Sequence, residues 1–196
     1  KNHPVSAVEE VAQLGCTHVG ENRVQEAKEK QMLYKGPKLV WHLIGHLQVN
    51  KVRQAVPMFD LIHSVDSKKL LDEIEKVAAK HDKVQDILLQ VNVAREASKS
   101  GMSVEEFPDI RDYAKTLPHV RVKGLMCMAP FFENPEDARP IFRVAHALYE
   151  DMKGYFPDGD IQYLSMGMTH DFEIALQEGA NIVRVGTAIF GERVYN

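Results

Sequence analysis

The amino-acid sequence predicts an α/β fold, a parallel β/α barrel, on three observations. Short apolar segments alternate with helical patterns along the chain. Those segments are apolar throughout, not at every second residue, as strands are when both faces of a parallel sheet are covered. The glycine-rich first turn of many open, doubly wound sheets is absent, since no G-x-G-x-x-G occurs.

The elements follow in order. Pro4 takes the first helical turn, Val5, Val8, Val11 and Ala12 mark one apolar face, and Gly15 stands where a C-terminal cap belongs. Cys16–Gly20 reads as a strand and Asn22–Met32 as a charged helix. Leu39–Gly45 is a strand, with a short helix near Asn50–Val56. Phe59–Val65 is the next strand. Ser67 caps a helix that aligns Leu70, Leu71, Ile74, Val77 and Ala78. Asp86–Val93 is a strand, and Ser103 opens a helix with Glu106 as its capping-box partner. Val120–Met128 is a strand, Pro135–Gly154 a long helix, Ile161–Met166 a strand and Thr169–Gly179 a helix. Ile182–Phe190 holds the last strand and its turn. The chain opens at Lys1, without an initiator Met, at a loop-to-helix junction, so a preceding strand and further upstream residues are expected. That strand raises the count to the eight of a closed (β/α)8 TIM-type barrel with its first strand largely missing. An open doubly wound sheet is the competing architecture.

The 196 residues suit one domain spanning 1–196. A net charge of −4 without a Lys/Arg-rich run excludes a nucleic-acid footprint and a membrane-surface patch. No apolar run has the length of a membrane span, and no signal peptide is evident. The two cysteines, Cys16 and Cys127, lack metal-type spacing and fit a reducing, cytoplasmic compartment.

A β/α barrel builds its site at the C-terminal ends of the strands. Those ends carry Lys1, Glu21, Asn22, His42, His46, Ser64, Asp66, Asn92, Arg95, Met126, Met128, Ser165-Met166-Gly167 and Arg184-Val185-Gly186-Thr187. Ser165 with the Gly186 and Thr187 amides suits a phosphate; Gly186-Thr187 as a plain tight turn is the alternative. Lys1, desolvated at a barrel mouth, would favour the neutral amine a Schiff base needs; a solvated terminal lysine is the alternative. Arg184 lies inside an apolar strand and needs a partner, structural or functional. On local sequence alone His42 reads first as a core histidine, and the Met126/Met128 pair as core packing before a cofactor wall.

Six blocks in order carry a resemblance: Gly20-Glu21-Asn22-Arg23-Val24-Gln25-Glu26, Trp41 to Lys51, His63-Ser64-Val65-Asp66-Ser67, Gly124-Leu125-Met126-Cys127-Met128, Leu164-Ser165-Met166-Gly167-Met168, and Val183 to Gly191. Together they closely resemble the pyridoxal 5′-phosphate (PLP) homeostasis protein family (the YggS/PROSC type), which shares the barrel of the alanine racemase N-terminal domain. The resemblance implies PLP as cofactor, bound as a Schiff base on Lys1, although Asn2 and His3 depart from the family's lysine block. It implies that Ser165, Gly186 and Thr187 hold the phosphate. Arg184 would face the pyridine nitrogen, and Asn22, His42, Met126 and Met166 would line the cofactor. Arginine has only donors, so the ring nitrogen would stay unprotonated and the electron sink weak. Related racemases add a second acid/base from a C-terminal domain, and the chain ends at Asn196. The expected role is therefore PLP binding and delivery by a monomer, with PLP-dependent apo-enzymes as partners and no efficient catalysis. The rivals are a weakly active PLP-dependent amino-acid racemase and a barrel enzyme acting on a phosphorylated metabolite without PLP.

Overall fold

A computed structural model describes residues 3–95 and 100–191. Seven strands, β1 (His18–Glu21), β2 (Val40–Leu43), β3 (Leu61–Val65), β4 (Gln85–Val91), β5 (Val120–Cys127), β6 (Tyr163–Met168) and β7 (Ile182–Arg184), form one sheet in sequence order. Every neighbouring pair is parallel. The sheet curls into a nearly closed barrel, for a β3 side chain bonds a β6 side chain across its interior. The expected additional strand would precede Lys1 and lies outside the described residues. Eight helices alternate with the strands: α1 (Val5–Gln13), α2 (Val24–Leu33), α3 (Val52–Ala55), α4 (Lys68–Lys80), α5 (Phe107–Ala114), α6 (Arg139–Lys153), α7 (Phe172–Gln177) and α8 (Thr187–Phe190).

The period-2 alternation of a strand sorts the core into two layers. Outward residues such as Leu43, Ile62, Ile87, Leu89, Leu125 and Leu164 pack against the helices. Inward, Leu61, Leu88 and Met126 form a separate plug, joined by Tyr163 and Ile182. The helices answer with matched faces. α4 buries Leu70, Leu71, Ile74, Val77 and Ala78, and the Ser67 hydroxyl accepts from the Leu70 amide at 3.4 Å. α6 buries Phe142, Ala145, Tyr149 and Met152. Full burial of each large apolar side chain contributes about 1.5–3 kcal/mol.

Several boundaries differ from the sequence reading. β6 runs to Met168, two residues past the expected end at Met166. The cause is Gly167, which does not break the strand. It has φ +92°, and a Cβ there would sit 2.6 Å from the Ala175 Cβ, so it lets β6 and α7 approach. The Ser103–Glu106 capping box forms, with Glu106 N donating to Ser103 Oγ and Ser103 N to Glu106 Oε2. Regular helix nonetheless starts only at Phe107. The last strand is shorter than expected, ending at Arg184, and its turn becomes the first turn of α8.

Gly124 tests this packing. A Cβ there would lie 1.8 Å from the Tyr163 carbonyl oxygen on β6. Gly124→Ala is expected to destabilise the fold by about 1–3 kcal/mol, read as a lower urea midpoint, because β5 and β6 must part. Ser67→Ala should cost about 1 kcal/mol through the lost cap.

Candidate functional site: a polar layer above the barrel plug

The site follows from counting two residues along each strand from the plug. Leu61 leads to His63, Leu88 to Gln90, Met126 to Met128, Tyr163 to Ser165 and Ile182 to Arg184. The inward layer nearer the C-terminal rim is therefore mostly polar. His63 and Ser165 are fully buried and Gln90 nearly so, and Met128 and Arg184 are half-buried. Buried polar groups must find partners, and these do.

Arg184 Nη1 donates to Ser165 Oγ at 2.7 Å and Nη2 to the Cys127 carbonyl at 3.0 Å. Ser165 Oγ lies 3.0 Å from His63 Nδ1. His63 Nε2 lies 2.8 Å from His42 Nδ1, and His42 Nε2 2.9 Å from His18 Nδ1. Among the described residues no carboxylate bonds Arg184. Burial pulls its pKa down to about 10, opposed by the nearby Cys127 and Asp171, so it keeps its charge at neutral pH. Burial, then the neighbouring His18, lowers His42 to about 4. Burial, then His42 and Arg184, holds His63 well below the ordinary histidine range. Both inner imidazoles are neutral at pH 7.

The expected site residues are distributed unevenly over this arrangement. Arg184 closes β7 and turns its guanidinium inward. Ser165 lies third in β6, not at its end, and its hydroxyl is occupied between Arg184 and His63. The strand end instead presents Met168, followed by Thr169. Met166 follows Ser165 in β6 with a buried side chain. Alternation turns it away from the barrel interior, into the layer beneath the helices. Met126 belongs to the plug. His42 lies inside β2 as the middle imidazole of the chain. Asn22 follows β1 in the rim loop, and its carbonyl would lie 2.1 Å from a Cβ at Gly45, so glycine lets the first two rim loops touch. Among the described residues Gly186 has no atom within 4 Å of where its Cβ would be, although its φ is ordinary. Nothing in the fold asks for glycine there. Thr187 starts α8, in which the Ile189 and Phe190 amides donate to the Gly186 carbonyl, while the Thr187 and Ala188 amides have no intrahelical acceptor. Lys1 lies outside the described residues. Over the rim, the segment after β4 folds back: the Gly101 amide donates to Asp66 Oδ2, and Ser100 Oγ lies 3.3 Å from His46 Nδ1.

His18 and His63 are the participants that the sequence reading did not single out. No local pattern marks them, since the three histidines sit on three strands. The signal is in the register. His18 pairs with Val40, two residues before His42, and His42 pairs with Leu61, two residues before His63. Each imidazole thus stands one pleat nearer the rim than the last, on the same face.

The neutral pair sets a pH dependence. The folded-state pKa of His42, about 4, is below its ordinary value of 6.5, so the unfolded chain binds more protons between them. Stability is therefore complete above about pH 6.5 and falls as pH drops toward about 4, by about 1.4 kcal/mol per pH unit for each histidine kept neutral. Urea midpoints measured across that range should show the slope, and His42→Gln should reduce it.

The residues present fit a phosphorylated ring whose nitrogen accepts a hydrogen bond. A charged donor sits at the barrel mouth with no carboxylate, and two positions further on Gly186 leaves open space at a backbone turn. Comparisons with known proteins agree. Residues 1–194 match the family described as alanine racemase, N-terminal domain. A pyridoxal phosphate homeostasis protein of Aquifex aeolicus is 46% identical over 195 residues, covering 100% of this chain and 85% of that protein. One of Pasteurella multocida is 38% identical over 198 residues, with the same coverage of 100% and 85%. The solved structure of PipY from Synechococcus elongatus with PLP bound superposes with TM-score 0.84 at 37% identity, covering 97% of this chain and 89% of that one. Without PLP its TM-score is 0.91. An alanine racemase of Bartonella henselae shares the fold, at TM-score 0.71 and 14% identity over 50% of its length. The chain belongs to the alanine racemase N-terminal domain family and, within it, to the pyridoxal phosphate homeostasis proteins.

Proposed function

We propose that this protein binds PLP and serves PLP homeostasis, holding the cofactor as a Schiff base on Lys1 and releasing it to PLP-dependent apo-enzymes. The observation that carries this reading is Arg184, a half-buried donor at the barrel mouth that no carboxylate bonds among the described residues. PLP supplies an electron sink that is strong when its ring nitrogen is protonated. Arg184 stays charged and cannot accept that proton. It would orient the ring and leave the sink weak, which suits a carrier with at most slow racemisation or transamination. The amides of Gly186 and Thr187 and the Thr187 hydroxyl would hold the phosphate. Asn22 would flank the ring from the rim. Ser165 would act through Arg184, since its hydroxyl is already taken.

The homeostasis reading is preferred to an amino-acid racemase because the homeostasis proteins share up to 46% identity over the whole chain. We place the protein in the cytoplasm, in keeping with free thiols at Cys16 and Cys127. No helix among the described residues is long and apolar enough to cross a membrane. We propose a monomer, since the exposed large apolar residues, among them Leu14, Phe131, Val144 and Ile189, lie on separate elements. Sedimentation would check this.

Lys1→Ala should abolish an absorbance band that borohydride also removes in the unmodified chain. Persistence of the band would refute the Lys1 assignment. Gly186→Ala should leave the thermal midpoint without PLP unchanged, because the new methyl meets nothing. In the same variant PLP affinity should also fall, because the methyl fills the space through which the phosphate approaches the backbone. In Thr187→Val it should fall by about tenfold or more, the loss of one charge-assisted hydrogen bond. Unchanged affinity in both would move the phosphate elsewhere.

A further inference from the structure

The geometry points to a directional relay: His18, His42, His63 and Ser165 form one hydrogen-bonded line through which the protonation of His18, at the start of β1, sets the hold on Arg184, at the end of β7.

Four contacts of 2.7–3.0 Å make the line continuous from Arg184 to His18. A neutral imidazole has one donor and one acceptor. His42 and His63 each commit both ring nitrogens to the line, so neither can change tautomer alone. Only two threadings satisfy every contact between rings. In the first, Ser165 accepts from Arg184 and donates to His63 Nδ1. His63 Nε2–H then donates to His42, and His42 Nε2–H to His18 Nδ1. Every group is satisfied, and the aligned dipoles turn their acceptor ends toward the guanidinium, which helps to stabilise a half-buried charge that no carboxylate bonds among the described residues. In the second, every imidazole proton is moved to the other nitrogen. Ser165 Oγ then accepts from both Arg184 and His63, and its own proton has no further recorded partner among the described residues. A buried unmatched donor is costly, so the second threading weakens the Ser165–Arg184 contact.

His18 selects between them. It is the exposed member, at the end of the strand furthest from the rim. Once protonated, its Nδ1 carries hydrogen and must donate to His42, which forces the second threading. The inner rings do not take this proton, because burial holds His42 at about 4 and His63 well below the ordinary range. The other titratable groups along the line are Cys16, whose thiol donates to the His18 carbonyl, Asp60 beside His42, and Cys127 and Asp171 beside Arg184. None of them is bonded to a ring nitrogen of the line. The consequence for PLP retention rests on the function proposed above: a loosened Arg184 holds the ring less firmly, so release rises as His18 gains its proton.

The test uses the full chain without PLP. Long-range proton–nitrogen spectra of the histidine rings, taken from about pH 8 to about pH 5, report which nitrogen carries hydrogen. The relay predicts that His42 and His63 hold hydrogen on Nε2 at the upper end. Both should move it to Nδ1 in the same step in which His18 is protonated. In His18→Gln both should keep one tautomer throughout; His18→Ala gives the same comparison if that variant fails to fold. With PLP added, dissociation should speed up severalfold across the same step, and the step should vanish in His18→Gln. Inner tautomers indifferent to His18, or a step that survives His18→Gln, would overturn the relay. A concerted tautomer change in a chain that takes up no PLP supports the relay and overturns the PLP reading alone.

Discussion

A half-buried guanidinium at the mouth of a parallel barrel, bonded to no carboxylate among the described residues, is the constraint that organises the rest. Moving a charge out of water is costly unless its donors are matched. Here they are matched by a hydroxyl and a carbonyl, Ser165 Oγ and the Cys127 oxygen. The hydroxyl must in turn be partnered, and that demand passes through His63 and His42 until it reaches exposed His18. A polar line through a barrel interior is tolerable only because each member is satisfied. The apolar plug of Leu61, Leu88 and Met126 beneath it keeps the polar layer to one level of the barrel.

The same constraint links architecture to chemistry. Strand alternation places an apolar residue, then a polar one two positions on, at four strands of the sheet, with Met128 as the apolar member on the fifth. The plug stabilises the barrel, and the layer above it faces the rim where loops approach. Arg184 supplies a permanent donor in a site otherwise built of neutral groups. In the proposed reading, a cofactor ring set against it would be held, but not driven toward the protonated form that amino-acid chemistry needs. Retention without strong activation is what a carrier requires.

Much of this is legible in the sequence. The uniformly apolar strands gave the parallel barrel, Ser67 and the α4 face were read correctly, and Arg184 stood out as a charge in an apolar strand. The rest was hidden for identifiable reasons. Gly167 reads as a strand end, yet it is an in-strand glycine that admits α7, so β6 continues two residues beyond Met166. The histidine line depends on strand register between residues 24 and 21 positions apart, which composition does not encode. Lys1, central to the cofactor reading, lies outside the described residues, so its part rests on family resemblance.

The central claim is that Arg184 presents a donor to an unprotonated ring nitrogen. Nitrogen NMR of the protein loaded with PLP labelled at the pyridine nitrogen measures this directly. The account predicts a bound signal of the neutral, hydrogen-bond-accepting pyridine type at neutral pH, displaced in Arg184→Ala. A pyridinium signal, or a bound signal indifferent to that substitution, would contradict it.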